Sequence, residues 1–124
     1  AIMSDMSLTG RFEEALVAAP VLHNTATPYD TDLYMAYMYG NQAYAHIENT
    51  ENPDGLDICI IKDSYAVPFA AFASLRCHNV TLIDPRYYEE NIEGFINSEK
   101  FDYVLVMFSP DDLAEEFFTF GEKR

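Results

Sequence analysis

The chain has 124 residues, enough for one domain that buries roughly two thirds of its unfolded surface without a metal or disulfide staple. Hydrophobic residues make up 49% and aromatics 15%, which excludes a disordered chain, and no apolar run approaches the ~20 residues that cross a bilayer as a helix. Seven Lys and Arg against 21 Asp and Glu leave a net charge of -14, a field that repels phosphate backbones and anionic lipid, so nucleic acid is not expected as a partner.

The opening AIMSDMSL has neither a basic region nor an apolar stretch, so no signal peptide is read in it. GRFEEALVAAP (10–20) is compatible with a helix ended before Pro20. YDTDLYMAYMYGNQAYAHIENT (29–50) mixes strand-like tyrosines with a turn at Gly40-Asn41, and NTENPDG (49–55) is a polar loop. Residues 1–50 therefore form a less regular lead-in.

From residue 56 the pattern sharpens. LDICII (56–61) predicts a strand, and YAVPFAAFASLR (65–76) a helix that starts near Val67 with Pro68 in its first turn, where a missing amide costs little. NVTLID (79–84) predicts a second strand. YEENIEGFINSEK (88–100) places Ile92, Phe95 and Ile96 on one helical face behind acidic residues in the first turn. FDYVLVMFS (101–109) predicts a third strand, and PDDLAEEFFTF (110–120) a terminal helix opened by Pro110. Strand, helix, strand, helix, strand with short connections predicts an α/β fold of the flavodoxin-like kind, a parallel β-sheet flanked by helices in three layers, all in a single domain spanning 1–124.

In such a sheet every strand ends on the same edge, where ligands gather. That edge collects Lys62, Asp63, Ser64 and Tyr65 after the first strand, Asp84, Pro85 and Arg86 after the second, and Ser109, Asp111 and Asp112 after the third. His78 follows a helix that rises about 1.5 Å per residue back to the opposite edge, which removes it as a base for Ser64. Ser64 has two readings, a helix cap that accepts a hydrogen bond from a first-turn amide, or a nucleophile with such amides as oxyanion donors. Arg86 has two as well, an ion pair with Asp84 or Asp63, or a clamp on an anionic or carbonyl oxygen near Ser64. Cys59 and Cys77 are expected as free, mostly buried thiols. No glycine-rich phosphate loop follows any strand, and no cofactor or metal site is read.

IIKDSYAVPFAAFASLRCHNVTLIDPRYY resembles the C-terminal signature of the bacterial DHHW proteins, in which KDSYA precedes an apolar helix, a strand ending in Ile-Asp-x-Arg-Tyr-Tyr follows, and a Val-Leu strand closes the pattern. YGNQAYAHIENT resembles the glycine-asparagine segment ahead of the serine strand, so the likeness spans about residues 37–109. DHHW proteins are similar in turn to SGNH hydrolases and alginate O-acetyltransferase-like proteins. The resemblance implies part of an SGNH-like three-layer sandwich and esterase or O-acetyl transfer chemistry on acylated carbohydrate, at the bacterial cell envelope or outside the cell. It casts Ser64 as nucleophile, Arg86 as the strand-end arginine and Gly40 and Asn41 as oxyanion contributors, with Asp63 and Tyr65 beside them.

The chain departs from that pattern in one respect. It has no Trp and no Asp-His pair, so the family's acid and base are missing, and His23 and His46 are the histidines left ahead of the serine strand. The expectation is an inactive C-terminal piece of a larger enzyme that associates as a homodimer through its uncovered sheet. A non-catalytic rival uses the same edge, with Tyr65, Tyr87 and Tyr88 stacking on sugar rings.

Overall fold

The computed structural model of the chain describes residues 3–8, 42–113, 118 and 120. The helix expected over 10–20, the turn at Gly40-Asn41 and His23 lie outside the described residues. Among the described residues five strands form one sheet, β1 (Met3–Leu8), β2 (Gln42–Glu48), β3 (Leu56–Lys62), β4 (Cys77–Ile83) and β5 (Tyr103–Met107), in the order β1-β2-β4-β3-β5. Between them lie α1 (Val67–Ala73) and α2 (Ile92–Ser98), with 3-10 turns at Ser64–Ala66 and Pro110–Asp112.

The expected parallel trio is present, with β3 paired in parallel to both β4 and β5. The lead-in widens it into a mixed sheet, because β2 pairs antiparallel with β4 while β1 runs parallel to β2. Connection length accounts for the reversal. A parallel crossover needs about a dozen residues or more, and the loop 49–55 is too short, so β3 must run back the way β2 came. Backbone and side-chain bonds hold that loop against the end of α1 and the start of β4. Asn49 N–H donates to His78 O (2.7 Å), Asn49 Nδ2 to Ser74 O (3.0 Å) and Asn52 Nδ2 to Arg76 O (2.8 Å). Gly55 closes it where a Cβ would lie 2.7 Å from His78 N, a backbone approach that only glycine tolerates.

Alternation along β3 divides the core into two layers. Ile58 and Ile60 join Val80 and Leu82 beneath α1, where Ala66, Val67, Ala70 and Ala71 let the helix approach the sheet closely. Cys59 and Ile61 join Ile83 on the opposite face, under Ile92, Phe95 and Ile96 of α2 and the rings of Tyr44 and Tyr88. A strand covered on both faces must be apolar at successive positions, which is why LDICII reads as an unbroken run. Proline in the first turn opens α1, as expected. α2 starts later than Tyr88, because the amides of Tyr87 and Tyr88 turn back to Asp84 O and the Asn91 side chain caps the helix at Gly94 N–H (2.6 Å).

Cys59 and Cys77 are both buried and unbridged. Burial pushes the Cys59 thiol up from 9.0 to about 12. The folded chain thus keeps a proton that the unfolded chain releases above pH 9.0, so this residue's contribution to stability declines as pH rises from there towards 12. At pH 8, iodoacetamide should leave Cys59 unmodified in the native chain and alkylate it fully in denaturant, with peptide mapping as the readout. Native-state alkylation at a rate near that of the unfolded chain would contradict this burial.

Candidate active site

The chain leaves β3 for α1 on one face and leaves β4 for α2 on the other, so the sheet splits its connections between the carboxyl ends of β3 and β4. Open α/β sheets bind ligands at such a switch point. Cross-strand register pairs Ile61 with Ile83, and Ser64 and Arg86 each follow three residues later. Both therefore emerge at this crevice. The same edge receives β2, whose first residues, Gln42 and Ala43, are buried beside it, and Ala43 O accepts a hydrogen bond from Asp84 N–H (2.9 Å). Gly40 and Asn41, which precede β2, lie outside the described residues.

Three charged side chains are buried at the crevice. Lys62, Asp63 and Asp84 expose 1%, 0% and 0% of their surfaces. Asp63 is the cap of the turn: Oδ1 accepts from Tyr65 N–H (2.9 Å), Oδ2 accepts from Ser109 N–H, and its own N–H donates to Met107 O (3.3 Å). One carboxylate thereby orders the serine turn and ties the end of β3 to the end of β5. The cap reading of Ser64 is corrected accordingly. The side chain at position 63 takes that bond, and among the described residues Ser64 Oγ accepts and donates none, while Ser64 O accepts from Val67 N–H. The serine is half-buried in a 3-10 turn ahead of α1. Amides expected as oxyanion donors are partly committed, since Tyr65 and Val67 already donate within the turn.

Asp84 carries the second set of bonds. Its Oδ1 accepts from Arg86 Nε (2.9 Å) and Arg86 N–H (3.1 Å), and its Oδ2 accepts from Arg86 Nη2 (2.7 Å) and Lys62 Nζ (3.3 Å). Arg86 thus makes the two-pronged carboxylate pair that its sequence position allowed, with Asp84 and not Asp63. Its guanidinium stays partly exposed, 5.1 Å from the centre of the Tyr87 ring. Lys62, which the sequence places on this edge without a role, is the buried cation of the crevice. Burial lowers its pKa from 10.5, and the Asp84 carboxylate pulls it back up. The available signal was the charge itself, a lysine closing an apolar run that has no solvent-facing side.

The two described histidines lie away from the serine turn. His78 sits at the start of β4 with Nδ1 3.4 Å from Asp57 Oδ1 and Nε2 3.6 Å from Glu48 Oε1. His46 pairs with Thr81 in the sheet, and its Nε2 lies 2.9 Å from Asn79 Oδ1. Among the described residues no histidine reaches Ser64, so neither serves as its base. Tyr65 and Tyr87 are exposed at the crevice edge, and Tyr88 is half-buried against Tyr44 and Phe95.

No protein-family model and no curated protein matches the chain. Solved structures do. Bacillus cereus PatB1 superposes with a TM-score of 0.66 at 21% identity, covering 89% of this chain and 34% of that one. A second structure of the same protein, with a sulfonyl adduct, gives 0.63 at 22% identity over 72% of this chain and 30% of that one. At these identities the likeness speaks for the fold. A DHHW family protein from Eubacterium siraeum gives 0.55 at 29% identity over 60% of this chain and 24% of that one. The resemblance carried by KDSYA and IDPRYY therefore has a counterpart among solved structures, and the chain spans 24 to 34% of the lengths of these three.

Neighbouring side chains should respond oppositely to truncation. Ser64→Ala should change stability by less than about 0.5 kcal/mol, since the hydroxyl has no bond to lose among the described residues. Asp63→Ala should cost about 2 to 4 kcal/mol, through loss of the cap and a buried amide left without its acceptor. Urea denaturation of the two variants checks this, and equal costs would contradict the division of roles.

Proposed function

We propose that this chain is the C-terminal part of a DHHW-type protein of the bacterial cell envelope that hydrolyses or transfers O-acyl esters, acetyl among them, of carbohydrate. The observation that carries the reading is the division of labour at the turn: Asp63 does the capping, which leaves the Ser64 hydroxyl at the crevice without a structural bond among the described residues. A serine there can attack an acyl carbon. Its Oγ forms a bond to the carbonyl carbon, and the bond from that carbon to the sugar oxygen breaks. The serine proton passes to a base and from it to the departing hydroxyl. Water then releases the acyl group, or a second carbohydrate hydroxyl accepts it. In this reading Arg86, held in the crevice by Asp84, supplies the positive charge that the oxygen of the tetrahedral intermediate needs.

The base is the part these residues do not supply. In this reading an Asp/His pair from the N-terminal portion of the parent provides it, in keeping with a chain that spans 24 to 34% of its structural neighbours. The isolated 124 residues are then inactive. A second reading, a non-catalytic carbohydrate-binding module, is favoured by the exposed rings of Tyr65 and Tyr87 on the same edge.

Labelling separates the two. In the full-length protein, fluorophosphonate and arylsulfonyl fluoride probes should attach to the peptide containing Ser64, and Ser64→Ala should abolish the adduct. No labelling, or labelling undiminished in the alanine variant, would leave the binding module as the surviving reading. For the isolated chain we infer self-association through β5, an edge strand without a charged residue on which Tyr103, Val104 and Val106 stay exposed. Light scattering should show mass rising with concentration, and a clean monomer throughout would contradict it.

A further inference from the structure

A lone arginine paired with a lone aspartate is electrically neutral, and a neutral pair stabilises an oxyanion poorly. The arrangement here is different. One buried carboxylate, Asp84, is shared between two cations, Arg86 at 2.9 and 2.7 Å and Lys62 at 3.3 Å. Lys62 has no route to the substrate side of its own: its side chain is 2% exposed and points, with Ile58 and Ile60, into the layer beneath α1. Asp63, the other carboxylate nearby, keeps its charge, but its oxygens accept from the amides of Tyr65 and Ser109 and its pull on Lys62 is weaker than that of Asp84.

We infer that Lys62 is a positioning residue for the proposed reaction, acting through Asp84: by taking up part of that carboxylate's charge it leaves the Arg86 guanidinium with net positive charge towards the acyl oxygen at Ser64. The inference rests on the proposed serine chemistry and adds a group that never touches substrate. It explains why a lysine stands at a buried position where an apolar residue would pack at lower cost. It also gives the site a dependence on pH. The charged groups around Lys62 among the described residues are Asp84, Arg86 and Asp63; burial holds the ammonium below its ordinary range, Asp84 and Asp63 pull it back up, and the like charge of Arg86 pushes it further down. When pH rises far enough to remove that proton, Arg86 and Asp84 revert to a neutral pair and the charge offered to the oxyanion falls.

The test measures the rate of Ser64 sulfonylation, or of aryl acetate turnover, against pH in the full-length protein. Wild type should show a falling limb below pH 10.5. Lys62→Met should be slower by about tenfold, less than the ~100-fold or more expected from deleting a direct oxyanion donor, and its falling limb should vanish. Lys62→Arg keeps its charge at every accessible pH, so it should restore most of the rate and also lack the limb. If Lys62→Met does not fold, as judged by circular dichroism, the Lys62→Arg profile decides alone. Wild-type labelling with an unaltered rate in Lys62→Met, or a limb that persists in Lys62→Arg, overturns this inference and leaves the serine chemistry standing. Absence of any reaction at Ser64 in wild type overturns both.

Discussion

The carboxylate of Asp84 is the constraint on which the crevice depends. It is fully buried, and each of its oxygens accepts two hydrogen bonds, from side chains on both neighbouring strand ends and from the backbone of its own turn. An ion in that position is tolerable only while its partners stay in place, because a buried charge stripped of them costs several kcal/mol, about 3 to 5 where such pairs have been broken. The turn at Pro85 and Arg86 is therefore held closely to β3, and the distance between the exits of β3 and β4 is set by chemistry as well as by the sheet. Asp63 does the equivalent work towards β5 through Ser109. Together the two aspartates fasten three strand ends into one rim, and Ser64 lies between the residues they fix.

Such a rim separates holding from reacting. Every buried polar side chain in the described residues has a partner, so the site carries no uncompensated polar atom that would report a distorted fold. Ser64 stands apart because its neighbour has taken the cap. His46 and His78, meanwhile, are engaged with Asn79 and with Asp57 and Glu48, away from the serine turn.

Much of this was legible in the residues because the physics was local. LDICII and NVTLID are apolar at successive positions, as central strands must be, and Pro68 placed the start of α1 through the absence of its amide. The shared edge of positions 63, 64, 84, 86 and 109 followed from strand direction alone. What escaped was set by distant contacts. β1 is a polar-patterned hexamer that becomes a strand only by pairing with β2, and the direction of β2 depends on the short loop 49–55. Serine and aspartate are equally good caps, so their order in the chain did not reveal which one would bond the turn. Lys62 was legible as a residue of the ligand edge, but its burial and its bond to Asp84 are set by the packed strand ends and not by the local sequence.

In the proposed reaction an electrophile bonded to Ser64 Oγ presents its oxygen to an Arg86 whose counterion, Asp84, is already shared with Lys62. An experimental structure of the full-length protein after reaction with an arylsulfonyl fluoride tests it most directly. The expected structure has a sulfonyl group on Ser64 with one oxygen within hydrogen-bonding distance of Arg86, and Asp84 still bridging Arg86 and Lys62. A sulfonylated Ser64 whose oxygens point away from Arg86, or an Arg86 released from Asp84 and turned to solvent, would contradict it.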